Sequence, residues 1–96
     1  MNNHQKLSDN ANIKTLLNNH GVTFDHVYIF KKLTGWDKNG KIFHVTVKFR
    51  YREEGKNIKA ILYKEFPWFY NFVVYTYGSD FINKIIEFID REGRHN

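Results

Sequence analysis

Lys48, Arg50 and Arg52 recur at every second position, and with His44 and Thr46 they fall on one side of an extended chain running from Lys41 to Arg52. A row of guanidinium and ammonium groups at that spacing is suited to phosphates or carboxylates. The opposite side of the same stretch carries Phe43, Val45, Val47, Phe49 and Tyr51. Such strict alternation predicts a half-buried strand, with its rings in a core and its cations held up to solvent.

Catalytic chemistry is harder to assemble. His44, Lys48, Arg50 and Tyr63 include the proton donors, acceptors and cations that a small RNA-cleaving toxin works with. No second motif supports that reading. Ser8 and Ser79 stand where helix caps are expected, and there is no glycine-rich phosphate loop or nucleophile elbow. Glu53 and Glu54 are adjacent in a turn, where their carboxylates point apart. His4, His20, His26, His44 and His95 have no spacing that sets two metal ligands on one face. The expectation is a protein without enzymatic activity, metal or cofactor.

Charge narrows the partner. The 96-residue chain has a formal net charge of +5, with 15 Lys or Arg against 10 Asp or Glu. The positive excess sits between Asp25 and Glu65, while the flanking segments are close to balanced. A basic block of this kind attracts polyanions. The chain has no cysteine, which excludes a disulfide-stapled scaffold and a thiolate site, and the expected location is the cytoplasm. No membrane association is expected, because Met1 to Asn10 is polar and the apolar run from Phe66 to Tyr77 is broken by Pro67 and Asn71.

The elements that must position these residues follow from local pattern. Residues 1–7 read as a disordered lead, 8–93 as one compact domain and 94–96 as a flexible tail. Ser8 or Asp9 caps a short helix to about His20, with Ile13, Leu16 and Leu17 as its apolar stripe and Gly21 as its stop. Val22 to Thr34 reads as a strand, joined to the Lys41–Arg52 strand by a type I′ turn at Asn39-Gly40. That turn sets Phe49 opposite Phe30, Tyr51 opposite Tyr28, Phe43 opposite Trp36, and Lys31 opposite Lys48. A second turn over Glu53-Glu54-Gly55-Lys56 leads to a third strand, with Ile58, Ala60 and Leu62 on the apolar face and Lys59 and Tyr63 on the other. Phe66-Pro67-Trp68-Phe69 reads as a corner, Phe72 to Tyr77 as a fourth strand, and Ser79 or Asp80 caps a final helix ending near Gly93.

The expected fold is therefore α+β: an antiparallel sheet of three to four strands, with a short N-terminal helix and a C-terminal helix packed on it, in the order α-β-β-β-β-α. Its element order is similar to the helix-sheet-helix sandwiches of several small RNA and DNA binders, an analogy of shape alone. Lys31, Lys48, Arg50, Arg52, Lys59 and Tyr63 are the expected nucleic-acid-binding residues, with DNA favoured over RNA. The functional expectation is a non-enzymatic accessory or regulatory DNA-binding protein, of the kind mobile elements carry. The alternative is a protein-binding module or inhibitor that docks through exposed aromatics at Trp36, Trp68 and Phe69.

Overall fold

Asp37 decides the register of everything around it. In the computed structural model, which describes residues 10–51 and 56–94, the Asp37 carboxylate accepts the backbone N–H groups of Asn39 (2.8 Å) and Lys41 (2.9 Å). The Gly40 N–H donates to Asp37 O at 3.0 Å, and the Asp37 N–H to Lys41 O at 2.9 Å. Gly40 has φ of 81°, whereas no non-glycine residue among those described has a positive φ. The turn is thus a type I turn followed by a left-handed glycine, with Lys38, Asn39 and Gly40 in the loop, and not the I′ turn expected from Asn39-Gly40.

One extra loop residue shifts the pairing by one, and a one-residue shift exchanges the faces of a strand. β2 (Tyr28–Trp36) pairs antiparallel with β3 (Ile42–Arg50) so that Tyr28 faces Arg50, Ile29 faces Phe49, Phe30 faces Lys48, Lys31 faces Val47 and Gly35 faces Phe43. The three expected aromatic pairs do not form. The expected clash of Lys31 with Lys48 disappears as well. β1 (Val22–Phe24) lies on the other side of β2 and completes a three-stranded sheet in the order β1-β2-β3.

The fold is α+β with an antiparallel sheet, as expected, but its second half is helical. After α1 (Asn10–Asn19) and the three strands come α2 (Lys56–Glu65), α3 (Pro67–Tyr77) and α4 (Asp80–Arg94). The expected third strand is α2: Ile58, Leu62 and Phe66 are buried and Ile61 is half-buried, which is helical spacing. Ala60, Leu62, Lys59, Lys64 and Glu65 are good helix formers. The expected fourth strand is α3, where Pro67 occupies the first turn and needs no donor, and Phe69 and Val73 are buried four residues apart. The turn expected at Glu53-Glu54-Gly55 lies outside the described residues, as do the lead at 1–7 and the cap at Ser8 or Asp9.

All these elements meet in one core. Ile13, Leu16 and Leu17 of α1, Val22 and Ile29 of the sheet, Tyr51, and Phe81, Ile82, Ile85, Phe88 and Ile89 of α4 are buried together with the α2 and α3 residues. The helices therefore cover the side of the sheet that bears Val22, Ile29, Val47 and Phe49. Beyond Lys31 the hairpin outruns this cover. From Lys32 to Thr46 every residue but half-buried Gly35 is exposed, so the distal part of β2 and β3 is an arm projecting from the body.

Candidate binding face

The cations now have definite places. Lys48 and Arg50 share the outer side of the sheet, away from the core, with Tyr28 and Phe30 opposite them on β2. Lys32, also on that side, faces Thr46. Lys32, Lys48 and Arg50 are exposed, and Tyr28 and Phe30 are half-buried. The Lys48 ammonium lies 5.2 Å from the centre of the Tyr28 ring, and the Tyr28 and Phe30 rings are 6.1 Å apart. Lys48 is thereby held over a ring face, an arrangement that orients it at little cost. No ion pair among the described residues involves Lys32, Lys48 or Arg50.

Asp25 anchors the proximal end of this face. Its carboxylate accepts the N–H groups of Tyr28 (2.7 Å) and Val27 (2.8 Å) and so closes the tight β1–β2 turn. Burial acts to raise its pKa. The two N–H donors, with the nearby charges of His26 and Lys48, outweigh that effect and hold the group below the ordinary carboxylate value. Across from it, Tyr51 donates its hydroxyl to Asp25 O. Gly93 of α4 packs against that hydroxyl so closely that an added Cβ would collide with it, and would lie 2.8 Å from Asp25 O as well. Helix α4 runs on through Gly93 to Arg94; this glycine makes room for Tyr51 and does not end the helix.

The expected site is only partly assembled. Lys31 is on the core side of the sheet, 3.8 Å from the Glu65 carboxylate and 5.8 Å from the centre of the Phe66 ring, so it leaves the basic face and Lys32 takes its place. The register shift is the cause, and Lys32 was hidden from sequence reasoning by the same one-residue error. Lys59 and Tyr63 are exposed one turn apart on α2, where Tyr63 packs edge-on to Tyr70 at 5.1 Å. They cannot belong to the face of a sheet. Tyr63 is therefore not beside His44, whose Nδ1 is instead 3.1 Å from the Thr34 hydroxyl. Arg52 lies outside the described residues.

The aromatic anchors divide in the same way. Trp36 is 65% exposed on the outer side of the arm and Trp68 is 88% exposed on α3, but Phe69 is buried in the core at 2%. Phe69 fills the position one residue on from Trp68, which a helix turns inward. Phe72 and Tyr75, which reasoning from a strand passed over, join Trp68 at helical spacing as an exposed stripe. Spacings of four and seven residues were the signal that would have found it.

Among the described residues no group of three or more His, Cys, Asp or Glu comes together that could hold a metal ion. Nor is any helix among them long and apolar enough to cross a membrane. No protein-family model, curated protein or solved structure matches the chain.

Proposed function

We propose that this protein binds nucleic acid, without catalysis, through the outer face of its sheet and the arm that extends it. The supporting observation is the uncovered face on which Lys32, Lys48 and Arg50 stand beside Tyr28 and Phe30. Residues 32–50 contain five Lys or Arg and one Asp, a net +4 out of the chain's formal +5. The single acid, Asp37, is occupied by backbone donors in the turn.

A projecting two-stranded ribbon fits the major groove of duplex DNA, about 12 Å wide, and carries cations along it to the phosphates. This favours DNA over RNA, whose major groove is too narrow for such a ribbon. Neutralisation of five phosphates gives a slope of roughly −4.5 for log affinity against log salt on duplex DNA. Fluorescence anisotropy across a salt series measures it. Replacing Lys48 and Arg50 together by Glu should abolish binding at low salt while leaving the far-UV spectrum unchanged. Retention of full affinity by that variant rejects the reading.

A second reading rests on the α3 stripe of Trp68, Phe72 and Tyr75. Exposed Trp and Tyr at helical spacing are typical anchors for a protein partner. Pull-down that survives nuclease treatment and is lost on replacing Trp68 and Tyr75 by Ala, but not on reversing Lys48 and Arg50, would favour it.

A further inference from the structure

β3 is an edge strand with one side open. The Asp37 N–H donates to Lys41 O and the Tyr51 N–H to Val27 O, so the odd-numbered residues of β3 turn their backbone groups toward β2. By the alternation of an antiparallel ladder, Ile42, His44, Thr46, Lys48 and Arg50 turn theirs to the open edge. No strand among the described residues pairs there. The edge runs for 9 residues without proline, glycine or bulge, and such an edge is a template for another strand.

The arm also carries apolar surface that the body does not cover. Leu33, Phe43 and Val45 are 44%, 47% and 47% exposed on its core side, and Trp36 and Ile42 are exposed on its outer side. These exposed apolar side chains lie on both faces of the arm, Leu33 and Trp36 on β2 and Ile42, Phe43 and Val45 on β3.

We propose that β3 pairs antiparallel with β3 of a second copy about a two-fold axis at Thr46. This register uses the whole strand, and about ten backbone hydrogen bonds close the open edges. On the outer side Lys48 of one copy lies opposite His44 of the other, Arg50 opposite Ile42, and Thr46 opposite itself. No two Lys or Arg residues face each other, which a cross-strand pair of this kind requires. On the core side Phe43 and Val45 of each arm stand opposite Phe49 and Val47 of the other copy, so each arm prolongs the apolar face of its neighbour.

Neighbouring registers are worse. An axis at Val45 leaves Arg50, and one at Val47 leaves Ile42, without a partner inside the strand, and an axis at Lys48 sets lysine against lysine. Edge pairing covers the open backbone of both β3 strands and the flanks of Ile42, Phe43 and Val45, and leaves Leu33 and Trp36 of β2 uncovered. The pairing does not depend on what the outer face binds. It makes one continuous outer face from both copies, with the two Arg50 residues about 27 Å apart along the strands.

Sedimentation of the full chain without nucleic acid tests the proposal, and the expected species is a dimer at micromolar concentration. Thr46→Pro removes an N–H that points to the open edge and leaves the ladder to β2 intact. It should raise the dimer dissociation constant at least about tenfold. A second variant guards against misfolding. Because the chain lacks cysteine, Thr46→Cys should cross-link to a covalent dimer on oxidation, since paired residues here lie about 5.5 Å apart, within disulfide reach. Lys38→Cys at the tip of the arm should not. A monomeric wild type, a dimer that Thr46→Pro leaves intact, or equal cross-linking at both positions overturns the proposal. Failure of DNA binding with the dimer intact would bear only on the function proposed above.

Discussion

Asp25, Tyr51 and Gly93 form a latch among three distant parts of the chain, joined at the Tyr51 hydroxyl. The carboxylate of Asp25 is held below its usual pKa by the donors around it, so its ionised form stabilises the fold. That contribution is complete above the unfolded value of 3.8 and is lost as pH falls through the folded value. Asp25→Asn should therefore be less stable than the wild type near neutral pH, with the difference shrinking below about pH 4. Urea midpoints measured from pH 7 to pH 3 show this, and a difference that does not change with pH contradicts it. Gly93→Ala forces a methyl against the Tyr51 hydroxyl and should cost about 1 to 3 kcal/mol. In a Tyr51→Phe background the same substitution should cost less, because the hydroxyl it strikes is gone. Chemical denaturation of the double-mutant cycle measures that coupling.

At the scale of elements, α2 and α3 show how two periods can lie in one sequence. Ile58, Ala60 and Leu62 alternate as a strand would, yet Ile58, Leu62 and Phe66 are also spaced as a helix, and burial follows the helical spacing. Ala60 is exposed in consequence. Leu62→Ala should cost about 2 to 5 kcal/mol. Ala60→Lys should change stability by no more than about 0.5 kcal/mol, since it places a good helix former on a solvated surface. Equal losses from both, read from urea midpoints, would return this segment to a sheet. Val73, Val74, Tyr75 and Thr76 favour strands locally. Pro67 at the start of α3, the backbone bond from Gly78 to Val74 at its end, and the burial of Phe69 and Val73 override them.

At the scale of the molecule, stability and proposed binding are separated in space. The core gathers α1, α4, α2, α3 and the proximal sheet, while the arm from Lys32 to Thr46 is exposed and contributes little to it. The basic residues proposed to bind DNA lie on the outer face and the arm, which explains why reversing Lys48 and Arg50 is expected to remove binding without unfolding the protein. The molecule is accordingly long, with extents of 48 × 34 × 21 Å.

Alternation from Lys41 to Arg52 was enough to place Lys48 and Arg50 on one side of a strand and Phe49 and Tyr51 on the other, because five apolar residues in strict alternation would fall on opposite sides of a helix. The apolar stripes of α1 and α4 were equally plain, since Ile13, Leu16 and Leu17, and Phe81, Ile82, Ile85, Ile86 and Ile89, combine neighbouring residues with three- or four-residue spacings as a helix does. Which side of β2 joined that strand was not settled locally. Asn39-Gly40 permits either a two-residue or a three-residue loop, and the hydrogen bonds of Asp37 chose the longer one. That choice moved Lys31 to the core side and brought Lys32 to the surface. Helix or strand for Ile58 to Tyr77 was likewise decided by what the apolar residues could be buried against, a quantity that exists only once α1, α4 and the sheet have come together.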